Sequence, residues 1–317
     1  MTKFVSRRGT LGIAVETVRG TPRVPVYWIP NVLMSFKETV VTAREDQGMG
    51  NIADSDAVYV TMKMGEGEVE SELYDNGLGF ILTSILGALP STGGSYTHTY
   101  TLSQTNQQAS LSLFWQDPDR STLFPMAVVE SLQMSVEATG KVSWTIAFKS
   151  RKGRAWARQT PNFTASGQKF LHQNLDLRLA SAVAGLAGAT PLSIKSLNLT
   201  LNRNTTYDNN MGTVEPDDIL GQQLSIEGSI NLNLEDDTIK NYMLNNTYRA
   251  MRLNLIGSAT SSLSMVFPRV DFTEFEPDFT LNEIAKQTIQ IKANYDRANA
   301  LDIISSCVLV NSFASYV

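Results

Sequence analysis

The sequence contains two strand–helix units of the same design, 161 residues apart. Residues 67–73 and 228–234 both begin with Gly and alternate polar with mostly apolar side chains, and each run leads into an aspartate, Asp75 or Asp236. Such alternation is typical of a strand with one buried face. After each aspartate, apolar residues recur at helical spacing. Any fold proposed for this chain must therefore hold the same unit twice.

Three further matches keep the same order along the chain. The shift between matching segments is 161–162 residues before the predicted helix and 142–143 after it, and the 19-residue segment 90–108, rich in Ser, Thr, Gly and Gln, accounts for the drop. A chance likeness between alternating strands would match one segment only, so we predict one fold written twice. The other matching pairs are Met49-Gly50 with Met211-Gly212, 111–113 with 253–255, and 144–149 with 287–292.

The predicted domain boundaries follow from this repeat. The first copy covers residues 1–150 and the second covers residues 192–317, and each is expected to form a β domain. Between them, residues 151–191 contain clusters of Gly, Ala, Ser and Pro and are interpreted as a connector. The strand-like run 174–179 inside the connector could belong to the sheet of either copy.

The chain offers little material for catalysis or metal binding. One cysteine and two histidines among 317 residues exclude a disulfide framework and a multi-cysteine metal site. Cys307 lies in an apolar, strand-like run, where a buried and unreactive thiol is expected. His98 and His172 have no nucleophile motif beside them, so both are expected to be structural. Because a nucleotide-binding glycine motif is also missing, we predict no catalytic site, no cofactor and no metal.

Charge and hydropathy exclude further classes of protein. The 26 basic and 31 acidic residues give a net charge of −5, which disfavours general affinity for nucleic acid. No apolar run approaches the roughly 20 residues that a bilayer requires, so no membrane segment is expected. The N-terminus is basic, but no apolar region follows it, and a secretory signal is not expected.

Acidic residues occupy every second position of one predicted strand. They therefore extend from one face, with neighbouring carboxylates roughly 6.6–6.8 Å apart, and such a row needs water or cations around it. The loop geometry of calcium motifs is absent. The row is interpreted either as a solvated sheet surface or as part of a strand that lines a water-filled passage. Its residues are Glu66, Glu68, Glu70 and Glu72, and the equivalent positions in the second copy are Glu227, Ser229, Asn231 and Asn233.

A cluster of basic residues lies at the end of the first copy. With a tryptophan interleaved, the cluster has the composition of a nucleic-acid-binding patch. A connector that contacts an acidic neighbour explains the same residues equally well, and both interpretations stay open. The cluster consists of Lys149, Arg151, Lys152, Arg154 and Arg158, with Trp156 among them.

Several short motifs resemble those of phage tail tube proteins, the major tail proteins of long-tailed, non-contractile phages. The opening GIAVETVRGTP at residues 12–22, followed by Trp28-Ile29-Pro30, is similar to the start of these proteins. The resemblance covers the first copy directly and the second copy through the repeat, but it does not extend to residues 151–191. The remaining motifs are the loop 44–57, the strand–helix unit 66–86, Tyr96-Thr97-His98-Thr99-Tyr100, and the strands 131–136 and 142–148.

The resemblance implies both a fold and an assembly. The expected fold is all-β dominated, a β-sandwich or barrel-like tail tube domain with a short flanking helix, here duplicated in tandem. In this family, domains join edge to edge into rings whose inner strands form a continuous barrel lumen. Stacked rings form the tail tube, the conduit for DNA ejection into the host. If six domains make a ring, three copies of this chain suffice, so a trimeric, pseudo-hexameric ring is favoured and a hexamer of chains comes second.

The same resemblance implies partners, a location and residue roles. The partners are other copies of the chain, the tape measure and tail terminator proteins, and phage DNA in transit without specific binding. The location is the virion tail, after synthesis in the host cytoplasm. Because DNA is a polyanion, acidic and amide side chains suit a lumen through which it slides. The lumen-facing candidates are Glu66, Glu68, Glu70, Glu72, Glu227, Asn231 and Asn233.

Two long loops rich in Gly and Asn, residues 44–57 and 204–218, are the candidates for ring-to-ring contacts. An alternative to the tube is a duplicated β-sandwich module that binds carbohydrate, with Trp115, Trp144 and Trp156 as stacking surfaces. A hydrolase fits least well, because so few acid–base residues are present. Within the two loops, the candidate contact residues are Arg44, Asp46, Met49, Asp54, Asp208, Met211 and Glu215.

Overall fold

The computed structural model describes residues 6–45, 50, 52, 54, 57–282 and 284–316. In this part of the chain β-strands predominate and two α-helices accompany them, so the predicted all-β fold with short helices is confirmed. Neither α-helix has the length and apolar character that crossing a bilayer would require. Short 3-10 helices lie at Ser6–Arg8, Gly94–Tyr96, His172–Asn174 and Val183–Gly185.

The strands divide into two series along the chain. The first series is β1 (Thr10–Val15), β2 (Tyr27–Ile29), β3 (Leu33–Met34), β4 (Lys37–Arg44), β5 (Val58–Glu72), α1 (Asp75–Leu86), β6 (Ser91–Gly93), β7 (Thr97–Tyr100), β8 (Leu111–Gln116), β9 (Ser121–Glu137), β10 (Ser143–Arg151) and β11 (Arg154–Ala155). The second series is β12 (Leu175–Ala180), β13 (Ile194–Asn202), β14 (Thr206–Asp208), β15 (Asp218–Leu220), β16 (Ser225–Asn233), α2 (Thr238–Leu244), β17 (Arg249–Ser258), β18 (Ser261–Asp278), β19 (Lys286–Asn294) and β20 (Ser306–Val310).

The two series pair their strands in the same order. In the first, β5 pairs with β10, β10 with β9, β9 with β8, and β8 with β1. In the second, β16 pairs with β19, β19 with β18, β18 with β17, and β17 with β12. The registers correspond as well, since Ser71 lies opposite Trp144 and Leu232 lies opposite Gln287. The strand-like run 174–179 thus contributes β12 to the sheet of the second series.

The two series join into one continuous antiparallel sheet. Residues 131–137 of β9 pair with β10 on one side and with residues 196–202 of β13 on the other, and β13 in turn pairs with β16. We call the contact between residues 131–137 and 196–202 the junction. Across it, the strand order is β4–β5–β10–β9–β13–β16–β19–β18, which we call the long sheet.

The strands β9 and β18 each serve two sheet regions. The first part of β9 pairs with β8 and is buried on both faces, whereas the part after Glu130 alternates between buried and half-buried residues. A bulge separates the parts at Pro125, and β18 has a register shift at the equivalent Pro268. Proline has no amide hydrogen to donate to a ladder, so the pairing is interrupted at these positions.

Helix α1 is completely buried, which is unusual for a helix with two glycines. Gly79 permits a close contact, because a Cβ added there would lie 2.0 Å from Cζ of Tyr316. The Tyr316 ring packs edge-on against Phe80 and beside His98, and its hydroxyl donates to the carbonyl oxygen of Asn76 at 3.1 Å. The segment 311–316 therefore closes the core of the first series over α1, 236 residues away in the sequence.

We expect Gly79→Ala to lower the thermal unfolding midpoint. Alanine improves helix propensity by about 1 kcal/mol, but the methyl group displaces the Tyr316 ring, and loss of a buried aromatic side chain costs about 3–5 kcal/mol. Differential scanning calorimetry measures the balance. Gly188→Ala is the matched control, because no atom lies within 4 Å of a Cβ at that position. Equal midpoints for the two variants would contradict the proposed role of this contact.

Candidate functional site

The four glutamates predicted to share a face of β5 do so in the structure. Val69 and Ser71 are buried between them, while Glu68 and Glu70 are exposed on the opposite face of the long sheet. The positions across from the glutamates, on β10, are Lys149, Ala147, Thr145 and Ser143, in the order from Glu66 to Glu72.

The same face continues through the junction as a polar surface. Gln133 on β9 lies opposite Thr200 on β13, and its amide nitrogen donates to the side-chain oxygen of Asn198 at 3.0 Å. On β16, the amide of Asn231 donates to the hydroxyl of Thr288 at 2.9 Å. Of the second-copy candidates, Glu227 lies opposite Lys292, Asn231 opposite Thr288, and Asn233 opposite Lys286.

Three acidic residues that the sequence analysis missed complete this face. Glu274, Glu276 and Asp278 are exposed on β18, where they lie opposite Gln290, Thr288 and Lys286 of β19. The repeat carried the signal for them, since a shift of 143 residues places them on Ser131, Gln133 and Ser135, which are on the face at the junction. Both ends of the long sheet are therefore acidic.

Lysines neutralise part of the acidic face. Lys292 donates to Glu227 at 2.8 Å, and Lys149 donates to Glu130 at 2.7 Å. Glu72 accepts hydrogen bonds from Lys141 and, at 3.1 Å, from Lys169. The hydrogen bond from Lys141 lowers the pKa of the Glu72 carboxyl below its ordinary value; partial burial opposes this effect, and Lys169 adds to it. Glu68 and Glu70, between these pairs, remain exposed to solvent.

The first candidate loop lies at the end of an exposed arm formed by β4 and the start of β5. Arg44 and Asp54 form an ion pair there, and Ile52 is fully exposed. Asp46 and Met49 lie outside the described residues. Apolar side chains are exposed along the arm, which is unusual for a hairpin that has only solvent around it. They are Val40, Val41, Val58, Tyr59 and Val60.

The second candidate loop is the hairpin of β14 and β15, where Asp208 lies opposite Asp218. Its tip is open to solvent, and Met211 is fully exposed. Its base is attached to the first series, because the Lys63 amide donates to the Val214 carbonyl oxygen at 2.7 Å. Glu215 belongs to this anchored base, with its carboxylate 2.8 Å from Lys152 and 3.7 Å from Arg154.

These contacts account for much of the basic cluster. Besides the two ion pairs of Glu215, Arg151 donates to the carbonyl oxygens of Pro216, at 2.8 Å, and of Asp217. Arg158 donates to the carbonyl oxygens of Asp117 and Pro118. The cluster therefore holds an acidic loop of the same chain, which agrees with the second of the two interpretations made from sequence.

The N-terminal motif at residues 12–22 has a structural role that its sequence did not reveal. The buried carboxylate of Glu16 accepts from the hydroxyls of Ser110, at 2.6 Å, and Ser112, at 2.9 Å. Three residues later, Arg19 donates to the carboxylate of Asp218 at 2.7 Å and to the Ile219 carbonyl oxygen at 2.6 Å. The motif thus ties the start of the first series to the second candidate loop.

The residues considered for chemistry are engaged elsewhere. His98 is buried, and its Nε2 lies 2.9 Å from the carbonyl oxygen of Phe313. Nδ1 of His172 lies 3.0 Å from the carbonyl oxygen of Gly140. Burial raises the pKa of the Cys307 thiol to about 12, so the thiolate is suppressed, as expected from sequence. Trp144 is buried and cannot offer a stacking surface to a sugar.

Comparison with known proteins identifies a family. The family model described as "Phage tail tube protein" matches residues 6–296, which span both series of strands and the junction between them. No curated protein matches the chain. The resemblance inferred from the N-terminal motif and the strand–helix unit is confirmed by this match.

We expect Glu72→Gln to reduce stability at neutral pH but not in acid. Because the folded pKa is lowered, the stabilisation is complete above the unfolded value of about 4.3 and is lost as the pH falls through the folded pKa. The loss at pH 7 should be about 0.2–1 kcal/mol, as for a surface ion pair. Urea unfolding from pH 7 downwards measures it, with the exposed Glu235→Gln as control. A difference that does not shrink with falling pH would exclude this role of the lysines.

Proposed function

The chain belongs to the phage tail tube family, and we propose that it assembles into stacked rings whose lumen is the conduit for DNA ejection into the host. Family membership makes the chain a structural component of the virion tail. The carbohydrate-binding module considered from sequence is not favoured by this match. The observation that supports the ring most strongly is the long sheet, which ends in two unpaired edges.

Those edges lie at β4 and at residues 271–278 of β18. Each pairs with one neighbour only, β4 with β5 and this part of β18 with β19. A long exposed edge pairs readily with another chain, and a head-to-tail contact between different edges generates a ring if the rotation closes. In the proposed assembly, β18 of one copy adds to the β3–β4 edge of the next, and the long sheets close into a barrel.

Three copies per ring is the number we favour, with six chains as the second candidate. The shared pairing order of the two series supports a tandem duplication, with units at residues 1–150 and 192–317 and a connector at 151–191 that also contributes β12. The junction then represents a unit-to-unit contact already made within one chain. Three chains supply six units, which gives a pseudo-hexameric ring.

The acid-rich face of the long sheet is proposed to line the lumen. Glu66, Glu68, Glu70, Glu72 and Glu227 would present carboxylates to passing DNA, and Asn231 and Asn233 would present amides. Cations in a lumen would release counterions from DNA and bind it, whereas carboxylates repel phosphate. The lysines on this face lie opposite or beside acidic side chains, which limits the positive charge available to DNA. The conduit would therefore work by avoiding contact.

Ring stacking is proposed to use the two exposed loops. Arg44 and Asp54 lie on the first arm, and Asp208 and Met211 lie on the second hairpin. Asp46 and Met49 are proposed on the sequence argument alone, and Glu215 would act by fixing the base of its loop. The proposed partners at the tube's interior and end are the tape measure and tail terminator proteins, and assembly follows synthesis in the host cytoplasm.

Electron microscopy of the purified full-length protein tests this function. We expect rings of three chains with pseudo-sixfold symmetry, stacked into hollow tubes, and a reconstruction should place the carboxylates of Glu66 to Glu72 on the inner wall. A protein that stays monomeric at high concentration and never forms tubes would overturn the function. Tubes with these carboxylates on the outer wall would overturn the lumen assignment alone.

Charges placed at the loop tips should separate ring formation from stacking. Ile52→Asp and Met211→Asp are expected to leave soluble rings that no longer form tubes, because both side chains are fully exposed and neither contributes to the fold. Analytical ultracentrifugation and negative-stain microscopy distinguish the two states. Leu244→Asp, at an exposed position of α2, is the control and should form tubes. Wild-type tube lengths in both loop variants would refute the stacking role.

A further inference from the structure

The junction shows in detail how one unit contacts the next. Val136 near the end of β9 lies opposite Leu197 of β13 and is buried. The turn that follows packs onto the second series, where the Ala138 amide donates to the Lys195 carbonyl oxygen at 2.8 Å. Val136 and Ala138 close one side of a cavity whose other side is formed by residues 192–196, together with Leu175 and His172. A strand end and its turn thus cover an apolar hollow beside β13.

The repeat places equivalents of both surfaces at the free edges of the long sheet. Met34 lies opposite Val69 and Leu197 lies opposite Ile230, so Met34 is the equivalent of Leu197. A shift of 143 residues, the shift that relates β10 to β19, takes Val136 to Phe279. The junction contact would therefore recur between two copies, with Phe279 of one opposite Met34 of the other.

Both surfaces are open in the single chain. Phe279 is 68% exposed and Leu281 is 88% exposed, in contrast to the buried Val136 at the junction. On the other edge, Leu33 is 67% exposed beside a cavity of about 740 Å³. The wall residues 29–33 of this cavity are the equivalents of residues 192–196, and Trp115 contributes to the far side. An unfilled apolar hollow and an exposed apolar turn therefore occupy equivalent sides of the same contact.

The charges at the two edges are complementary in this register. Lys37 lies opposite Glu66 as Thr200 lies opposite Glu227, so Lys37 is the equivalent of Thr200. Its partner across the contact is then Glu276, the equivalent of Gln133. A neutral Gln–Thr pair within the chain thus becomes a Glu–Lys pair between chains. Cross-strand pairs of opposite charge stabilise a sheet, and a shift by one residue would separate them.

We propose that Phe279 and Leu281 of one copy dock into the cavity beside β3 of a second copy, with Phe279 opposite Met34 and Glu276 opposite Lys37. This proposal rests on the ring of the proposed function and adds the residues that make its contact. The occupant of the cavity is a second copy of this chain. Because the two surfaces differ, the contact is head-to-tail, and each copy offers one turn and one cavity.

A pair of introduced cysteines tests the register directly. Directly opposed residues in an antiparallel pair have Cα atoms about 4.5–5.5 Å apart, a spacing that a disulfide spans. We expect Met34→Cys/Phe279→Cys to form covalently closed rings under mild oxidation, visible on non-reducing gels. Met34→Cys/Leu244→Cys is the matched control and should stay uncrosslinked, and the native Cys307 is buried. Wild-type rings combined with no crosslink in the 34–279 variant would overturn the proposed contact.

A second pair of variants measures how much the turn contributes. We expect Phe279→Asp to raise the protein concentration needed for ring formation by roughly tenfold or more, since burial of a large apolar side chain contributes that much to association. Leu244→Asp should leave this concentration unchanged. Rings that form equally well with Phe279→Asp would overturn the docking but leave the tube function intact. A wild-type chain that forms no ring at all would overturn the proposed function itself.

Discussion

The interrupted ladders of β9 and β18 are the constraint on which the rest of the structure depends. Pro125 and Pro268 cannot donate a hydrogen bond, so each long strand changes partners there. Before the break, β9 is enclosed on both faces; after it, one face packs on the core and the other is polar. A single strand thus connects the buried core to the surface on which function depends, and the same device occurs twice.

Much of this could be predicted from sequence because it is local. Alternation in β5 and β16 fixed which side chains share a face, and the constant shifts identified equivalent strands. Long-range pairing was less accessible. The run 174–179 is compatible with either sheet until β17 selects it, and nothing local to Arg19 indicates that it reaches Asp218. The acidic residues of β18 were missed because their meaning depends on the equivalence with Ser131 and Gln133.

Electrostatic interactions serve two separate purposes in this chain. On the long sheet, acidic groups outside the lysine pairs, such as Glu68 and Glu70, stay in water, which maintains a negative surface. In the interior, carboxylates hold elements together: Glu16 accepts from two serine hydroxyls, and Glu215 bridges two basic side chains. The net charge of −5 is therefore not evenly spread. It is found where a polyanion would pass, while the cations mostly serve the fold.

The junction has a kinetic consequence for assembly. Since residues 151–191 tether the two units, one contact in every two around a pseudo-hexameric ring forms within a chain, at an effective concentration that does not depend on dilution. Ring closure then requires three encounters in place of six. The tether also allows the two kinds of contact to diverge, as the Gln133–Thr200 and Glu276–Lys37 positions have done. A chain that carries two different contacts can arrange its units only in strict alternation.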